Sequence, residues 1–363
     1  MYTSATMVPI SQTPLTTSLL ASLRTLKDWS PFSIDALGLV TMLGGNEVDI
    51  AVGRLVQNPY AEFLPMLGAY VFANDHFTAQ LPGFALYNIT DSIMTTEVKG
   101  WLVRWLKMQN LRTSTSCFTW NIERSPQSGF LTRNMLALAI GTISTAPLLV
   151  LTILMGDWFG LCNVVAMVVS VIVRWFLLLE RRNGLDAGAK RAVSKGRESG
   201  DQDIVKVLVA LDDGKLVSMS APRGVVRQCF TRQADLLHPA AYKFARGAGW
   251  SSFAVHAIAL GMSSLFTQIY TVVLMLSGTL LACYGVGCNE QHITPRIRAK
   301  QQNIDRDDKR MWAFVYMDMT RKEEAVMEHW SLLPRRSNQG WWTAYAKAKE
   351  KLVEEQNQIA AVQ

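Results

Sequence analysis

Two long stretches of this chain are nearly without charge. Ser251–Cys288 holds no Lys, Arg, Asp or Glu in 38 residues, and Met135–Leu179 holds only Asp157 and Arg174. Catalytic signatures are equally scarce. The dinucleotide pattern GxGxxG and the Walker pattern are absent, so nothing in the sequence cradles phosphate. HExxH, GxSxG, paired cysteines and acid clusters are also missing in and beside the apolar runs. Five cysteines, Cys117, Cys162, Cys229, Cys283 and Cys288, are too few, odd in number and wrongly spaced for a metal site or a disulfide framework. No basic start followed by a short apolar core is present, so no cleavable signal peptide is expected. These absences point away from an enzyme, and no cofactor or metal is expected.

What is present points to a bilayer. Crossing the hydrocarbon core takes about 20 apolar helical residues. Met135–Leu179 is long enough to cross twice, and Gly156-Asp157-Trp158 interrupts it near the middle. A helical hairpin follows, Met135–Met155 out and Trp158–Leu179 back. One helix over Ser251–Cys288 would be about 57 Å long at ~1.5 Å per residue, against a core of ~30 Å. Two short crossings turning near Phe266–Gln268 fit that run better. A single crossing over Ile269–Cys288 behind an interfacial helix is the alternative. The expected fold is therefore mainly α and membrane-embedded: four transmembrane helices in two hairpins, a small cytosolic α+β lobe between them, and helical N- and C-terminal regions.

Six segments are expected on this reading. Residues 1–32, rich in Ser and Thr, read as a disordered tail. Residues 33–134 read as helical, with Val48, Ala51, Val52 and Leu55 on one face. Phe63–Phe72 is apolar but too short to span, so it is interfacial or buried against the membrane domain. Residues 135–179 and 251–288 are the two hairpins, and 289–363 is a cytosolic helical tail in which Thr320-Arg321-Lys322-Glu323 forms a capping box. In the 180–250 lobe, Ile204–Leu211 is the convincing β run. The Asp213-Gly214 turn and Leu216–Ala221 complete a hairpin signal.

Within Asp91–Asn110, Trp101 and Trp105 recur at helical spacing with Lys99, Arg104 and Lys107 beside them. A basic amphipathic helix with tryptophans suits the headgroup layer and anionic lipid. An ordinary packing helix with its tryptophans in a core reads equally well. Among intramembrane polar groups Arg174, His256 and Gln268 are the candidates for a conduction pathway. Arg174 lies five residues from the end of its span, so snorkelling to the interface is expected.

The formal net charge of +7 is uneven. Residues 1–134 are balanced, nine basic against nine acidic, whereas 180–250 carry thirteen against eight. The excess speaks to orientation, and with no RNA-binding motif beside it nucleic acid is not an expected partner. Cys288, at the end of an apolar run, is a free thiol or a palmitoylation site.

Three stretches, GDWFGLCNVVAMVVSVIVRW, GWSSFAVHAIALGMSSLFTQIYTVVL and MDMTRKEEAVMEHWSLLPRRSNQGWWTAY, resemble an uncharacterised family of multi-pass integral membrane proteins from filamentous ascomycete fungi. The resemblance implies four spans and a fungal source, and it assigns no activity, cofactor or catalytic residue. Three function classes stay open: a non-enzymatic anchor or scaffold for cytosolic protein partners, which the soluble mass favours; a transporter or channel component; and a membrane-bound enzyme without a recognisable motif.

Arg133, Arg181-Arg182, Arg246 and Arg296 with Arg298 and Lys300 flank the four outer ends of the hairpins, while Gly156-Asp157-Trp158 and the turn near Gln268 lack basic residues. The positive-inside rule then puts all soluble segments in the cytosol. The Asn88-Ile89-Thr90 sequon will accordingly carry no glycan. A gel shift removed by Asn88→Gln would contradict that orientation.

Overall fold

The computed structural model describes residues 14–31, 38, 45–123, 130–198, 203–232, 234–304 and 309–362. Residues 1–13 of the expected tail, most of 33–44, and residues 124–129 and 199–202 lie outside the described residues. The elements are α1 (Pro14–Asp28), α2 (Gly45–Gly53), α3 (Ala69–Ala73), β1 (Ala85–Asn88), β2 (Ile93–Thr95), α4 (Gly100–Lys107) and β3 (Ser116–Ile122). They continue with α5 (Phe130–Met155), α6 (Trp158–Glu198), β4 (Ile204–Ala210), β5 (Leu216–Pro222), α7 (Pro239–Met262) and α8 (Leu265–Cys283). The chain ends with β6 (Ile297–Asn303), α9 (Arg310–Tyr316), α10 (Arg321–His329) and α11 (Gln339–Val362). Among the described residues, three helical stretches are long and apolar enough to cross a membrane: Arg133–Met155, Trp158–Ser194 and Leu265–Cys283.

The first hairpin turns where the sequence places it, at Gly156, whose φ of +67° favours a residue without Cβ. The second turns earlier than expected. Ser263 and Ser264 link α7 to α8, and Phe266–Gln268 fall in the first turn of α8. The Ser264 hydroxyl accepts from the Thr267 amide and caps α8. α7 starts at Pro239, twelve residues before the expected boundary, because proline suits the first helical turn. Residues 14–28 are helical rather than disordered. Leu15, Leu19, Leu23 and Leu26 recur near helical spacing, and α1 lies against α5.

The largest departure from expectation is the sheet. Six strands run in the order β2-β1-β4-β5-β3-β6, antiparallel throughout except for β3 beside β5. Its strands come from before, between and after the two hairpins, so β4 and β5 of the 180–250 lobe share one sheet with strands outside it. The expected β4–β5 hairpin forms its centre, Val205 opposite Ala221 and Val209 opposite Val217. Period-2 alternation sends Val205, Val207, Val217, Met219, Phe118 and Trp120 to one face, where they are buried. The opposite face carries Leu208, Leu216 and Ile89, covered by Phe314, Met327 and Tyr345 of the C-terminal helices. The expected capping box at α10 is present: the Thr320 amide donates to Glu323 Oε2 at 2.7 Å and Glu323 returns its amide to the Thr320 hydroxyl.

α4 packs on the first face, not at a lipid boundary. Trp101 and Trp105 are buried and Arg104 is 0% exposed. The Trp105 and Trp120 rings lie 4.9 Å apart, as do Trp120 and Phe230, an aromatic core that burial and ring packing both favour. Arg104 donates to Asp49 Oδ2 at 2.8 and 3.0 Å and to the carbonyls of Ala79 and His76, and Lys107 pairs with Asp212. Lys99 precedes the helix as its N-cap residue. The tryptophan spacing that suggested a headgroup helix thus belongs to the packing-helix alternative. A cation amid aromatics gives the same pattern whether a carboxylate or a phosphate answers it.

The β4–β5 turn rests on Gly214, at φ +79° with open space around its Cβ position. Gly214→Val therefore introduces no clash, only an unfavourable backbone. It should destabilise the sheet by on the order of 1 kcal/mol or more, read as earlier proteolysis of the 203–222 hairpin under a denaturant series.

Candidate functional site: the polar seam between helical bundle and sheet domain

The segment between α2 and α3 enters the helical bundle as an irregular loop. Leu55 adopts φ +62°, and Asn58 before Pro59 makes an Asx-type turn, its Oδ1 accepting from the amides of Tyr60 and Ala61 at 3.0 Å. The loop then passes between α5 and α8 at two glycines. A Cβ on Gly141 would meet the Phe63 carbonyl at 2.6 Å, and one on Gly278 would meet the Pro65 carbonyl, so only glycine admits the loop backbone at these points. Phe63–Phe72 is buried against the apolar helices, the second of the two expected placements.

Irregular backbone inside an apolar bundle leaves carbonyls that water cannot reach. α6 answers them with arginines two turns apart on one face. Arg174 Nη2 donates to the carbonyls of Glu62 at 2.6 Å, Leu64 at 2.7 Å and Ala61 at 3.4 Å, and the guanidinium lies over the Phe72 ring. Arg182 donates through Nε to the Leu55 carbonyl at 2.8 Å and through Nη1 to Glu62 Oε1 at 2.5 Å, with Nη2 shared between the Val56 carbonyl and Glu62 Oε2. Arg182 uses all three nitrogens of its planar fork, which a single ammonium cannot match. Thr279 of α8 accepts the Leu67 amide at 2.9 Å, and Asn58 Nδ2 reaches the Leu281 carbonyl.

Further buried pairs extend the seam. Arg181 bonds Asp75 at 2.8 Å and Tyr242 of α7 at 3.1 Å, and Tyr242 donates its own hydroxyl to Asp75. Glu180 accepts from the amides of Leu237 and His238 where the chain enters α7. Arg54 pairs with Glu290 at 2.7 Å and donates to Cys288 Sγ at 3.2 Å. Burial pushes the Cys288 thiol up to about 11, so the sulfur is held protonated rather than as a reactive thiolate.

At the opposite end of the bundle Asp157 joins the two turns. Its Oδ1 accepts the Gly160 amide at 2.8 Å and caps α6, while Oδ2 accepts from the Ser264 amide at 3.0 Å and the Thr267 hydroxyl at 2.9 Å. Between the two ends, Asn163 Nδ2 donates to Thr271 and the Ser252 hydroxyl donates to the Ala166 carbonyl.

The sequence candidates divide accordingly. Arg174 does not snorkel. It is 3% exposed and turned inward, because the loop carbonyls beside it are closer acceptors than interfacial water. His256 is buried in the bundle and, with Arg174, lines one small cavity. Gln268 joins neither: its Nε2 returns to the Ser263 carbonyl at the turn. Glu62 and Asn58 complete the seam but were not singled out by sequence, and Arg182 was marked only as a flanking charge for orientation. Asn58-Pro59 carried a turn signal, whereas nothing local marks Glu62 as the partner of a side chain 120 residues away. Among the described residues, no group of three or more His, Cys, Asp and Glu side chains is arranged to hold a metal.

No family model matches the chain, no curated protein matches its sequence and no solved structure matches it. The seam is therefore read on its own geometry. Arg174→Lys keeps the charge, but its shorter side chain cannot bring a donor to where Nη2 meets the three carbonyls, so it should cost on the order of 1.5–3 kcal/mol. Reduced thermal stability of the purified chain at unchanged abundance checks this, and a Lys variant as stable as wild type would return Arg174 to a snorkelling role.

Proposed function

We propose that this protein is a multi-pass membrane anchor that holds its sheet domain and C-terminal helices as one rigid platform for cytosolic partners. The observation that carries this reading is the seam. One 41-residue helix, about 60 Å long at ~1.5 Å per residue, runs unbroken from the bundle into the soluble domain, and a loop of that domain is gripped inside the bundle by Arg174 and Arg182. A conduit needs elements that open, whereas here buried charges hold backbone against backbone.

In this proposal α7 is the fourth crossing. It lies along α6 over its whole length, from Glu180–His238 at one end to Asp157–Ser264 at the other. Its outward face exposes Phe244, Trp250, Val255, Ile258 and Met262. Lys243 and Arg246 in its first two turns lower its mean hydropathy, and they sit at the end nearest the soluble domain, where the positive-inside rule favours them. The transport reading has polar groups in the bundle on its side, but the cavity between Arg174 and His256 is about 20 Å³, room for one water.

Topology is testable at the turn. In a chain whose native cysteines are replaced, Trp158→Cys in intact cells should react with a membrane-impermeant maleimide, while Lys215→Cys should react only after permeabilisation. Equal protection of both sites would refute the four-span arrangement. Reconstituted vesicles should show no ion or solute flux above protein-free vesicles. A flux that disappears with Arg174→Lys would favour transport instead.

A further inference from the structure

We infer that the C-terminal end of α1 lies on the far side of the membrane from the sheet domain, so that the chain makes a fifth crossing between Asp28 and Gly45. This rests on the anchor reading, which puts the Gly156 turn at the outer end of the bundle, and it adds a second face to the anchor.

A lysine fixes the first end. α1 lies against α5, and Lys27 Nζ donates to the Gly156 carbonyl at 3.1 Å. That carbonyl belongs to the turn that closes α5, where the amides of Gly156 and Asp157 return to the carbonyls of Ile153 and Thr152 as a Schellman motif. A cation suits this position, because the last carbonyls of a helix lack helical donors and carry the negative end of its dipole. Trp29, two residues on, is 44% exposed, and Trp158, two residues after Gly156, is 74% exposed. Tryptophans standing out at one end of an apolar bundle match the aromatic belt of a membrane–water boundary.

α2 fixes the other end. Its Asp49 holds Arg104 of α4, and Arg54 just after it pairs with Glu290. Glu47 and Ile50 line one surface hollow with Lys107, Asp212 and Cys283. Cys283 is the last residue of α8, whose first turn is tied to Asp157 through Thr267. The 19 residues of α8, at ~1.5 Å each, separate these two levels by about 28 Å, close to the ~30 Å of a hydrocarbon core. Lys27 and Glu47 therefore stand at opposite ends of the bundle.

Covalent continuity joins them. Asp28 and Gly45 are 17 positions apart, a length of chain that covers about 26 Å as a helix and ~58 Å when extended. An α1 docked on the sheet-domain side would leave the Lys27 ammonium a membrane's thickness from Gly156. Residues 29–44 carry one charged side chain, Asp35, and Gly38 among them is helical. Such a stretch enters hydrocarbon at far lower cost than one bearing several charges. The positive-inside rule has little hold here, since only Arg24 and Lys27 are basic before Asp28, and Lys27 is engaged by Gly156. On the side away from its platform the anchor then presents Arg24, Asp28 and Trp29, with Trp158 and Phe159.

Thiol labelling of the full chain, its native cysteines replaced, tests this in sealed vesicles of each orientation with a membrane-impermeant maleimide. Trp158→Cys and Lys215→Cys report the two sides. Ser30→Cys, exposed just after α1, should react from the side that labels Trp158→Cys. Asn46→Cys, exposed at the start of α2, should react from the side that labels Lys215→Cys, and each signal should be lost from the other side. Ser30→Cys reacting from the Lys215 side, or from neither, overturns the fifth crossing and leaves the four-span anchor standing. Trp158→Cys and Lys215→Cys reacting from one side overturns both together. Trypsin on the wild-type chain needs no substitution: cleavage after Arg24 should occur only where the Gly156 turn faces the enzyme, and cleavage there from the sheet-domain side contradicts the inference.

Discussion

The structure depends on how the α2–α3 loop satisfies its backbone. A non-helical segment inside an apolar bundle exposes carbonyls to a medium that cannot hydrogen-bond them, at several kcal/mol each. Arg174 and Arg182 supply the missing donors, Glu62 supplies the counter-charge, and Gly141 and Gly278 supply the space. Each part is of use only with the others present. Removing one partner of such a buried pair typically costs about 3–5 kcal/mol, well above what the pair contributes over an apolar replacement. The arrangement is therefore better understood as fixing one geometry than as adding stability.

That geometry joins two kinds of solvent environment. The outer faces of α5–α8 are apolar, with Ile143, Ile153, Ile172, Ile258 and Val273 all exposed, while the buried interior holds Asn163, Thr267, Thr271 and Arg174. A water-soluble bundle would reverse this. Below the seam the core is a small apolar cluster around Leu67, Leu148, Met167, Leu260 and Met275; above it a continuous core runs from α2 through the sheet to α6. The helix α6 belongs to both, so a displacement of the sheet domain is a displacement of the bundle.

How far the sequence revealed this follows from the range of each interaction. The first hairpin, its Gly156 turn, the β4–β5 pair and the α10 capping box are encoded within a few residues, and the reading located them. β3 was missed although Phe118 and Trp120 alternate with polar neighbours, because seven residues ending in Asn-Ile resemble a loop as much as a strand. β6, Ile297-Arg298-Ala299-Lys300, presents its charges outward and only Ile297 and Ala299 inward, so its signal is weaker still. Arg174 was noticed as a polar residue in a span, but its inward turn depends on carbonyls more than 100 residues away. Arg104 was left open between headgroup layer and packed core for the same reason: its partner, Asp49, lies 55 residues earlier.

The most direct measurement of the central claim is hydrogen exchange of residues 55–67 in the intact protein embedded in nanodiscs. If the loop is gripped as described, the amides of Ala61 and Leu67, bonded to Asn58 and Thr279, will exchange as slowly as those of the central strands β4 and β5. Exchange of this loop at the rate of an unstructured peptide, with β4 and β5 still protected, would contradict the account and separate the bundle from the domain it is held to carry.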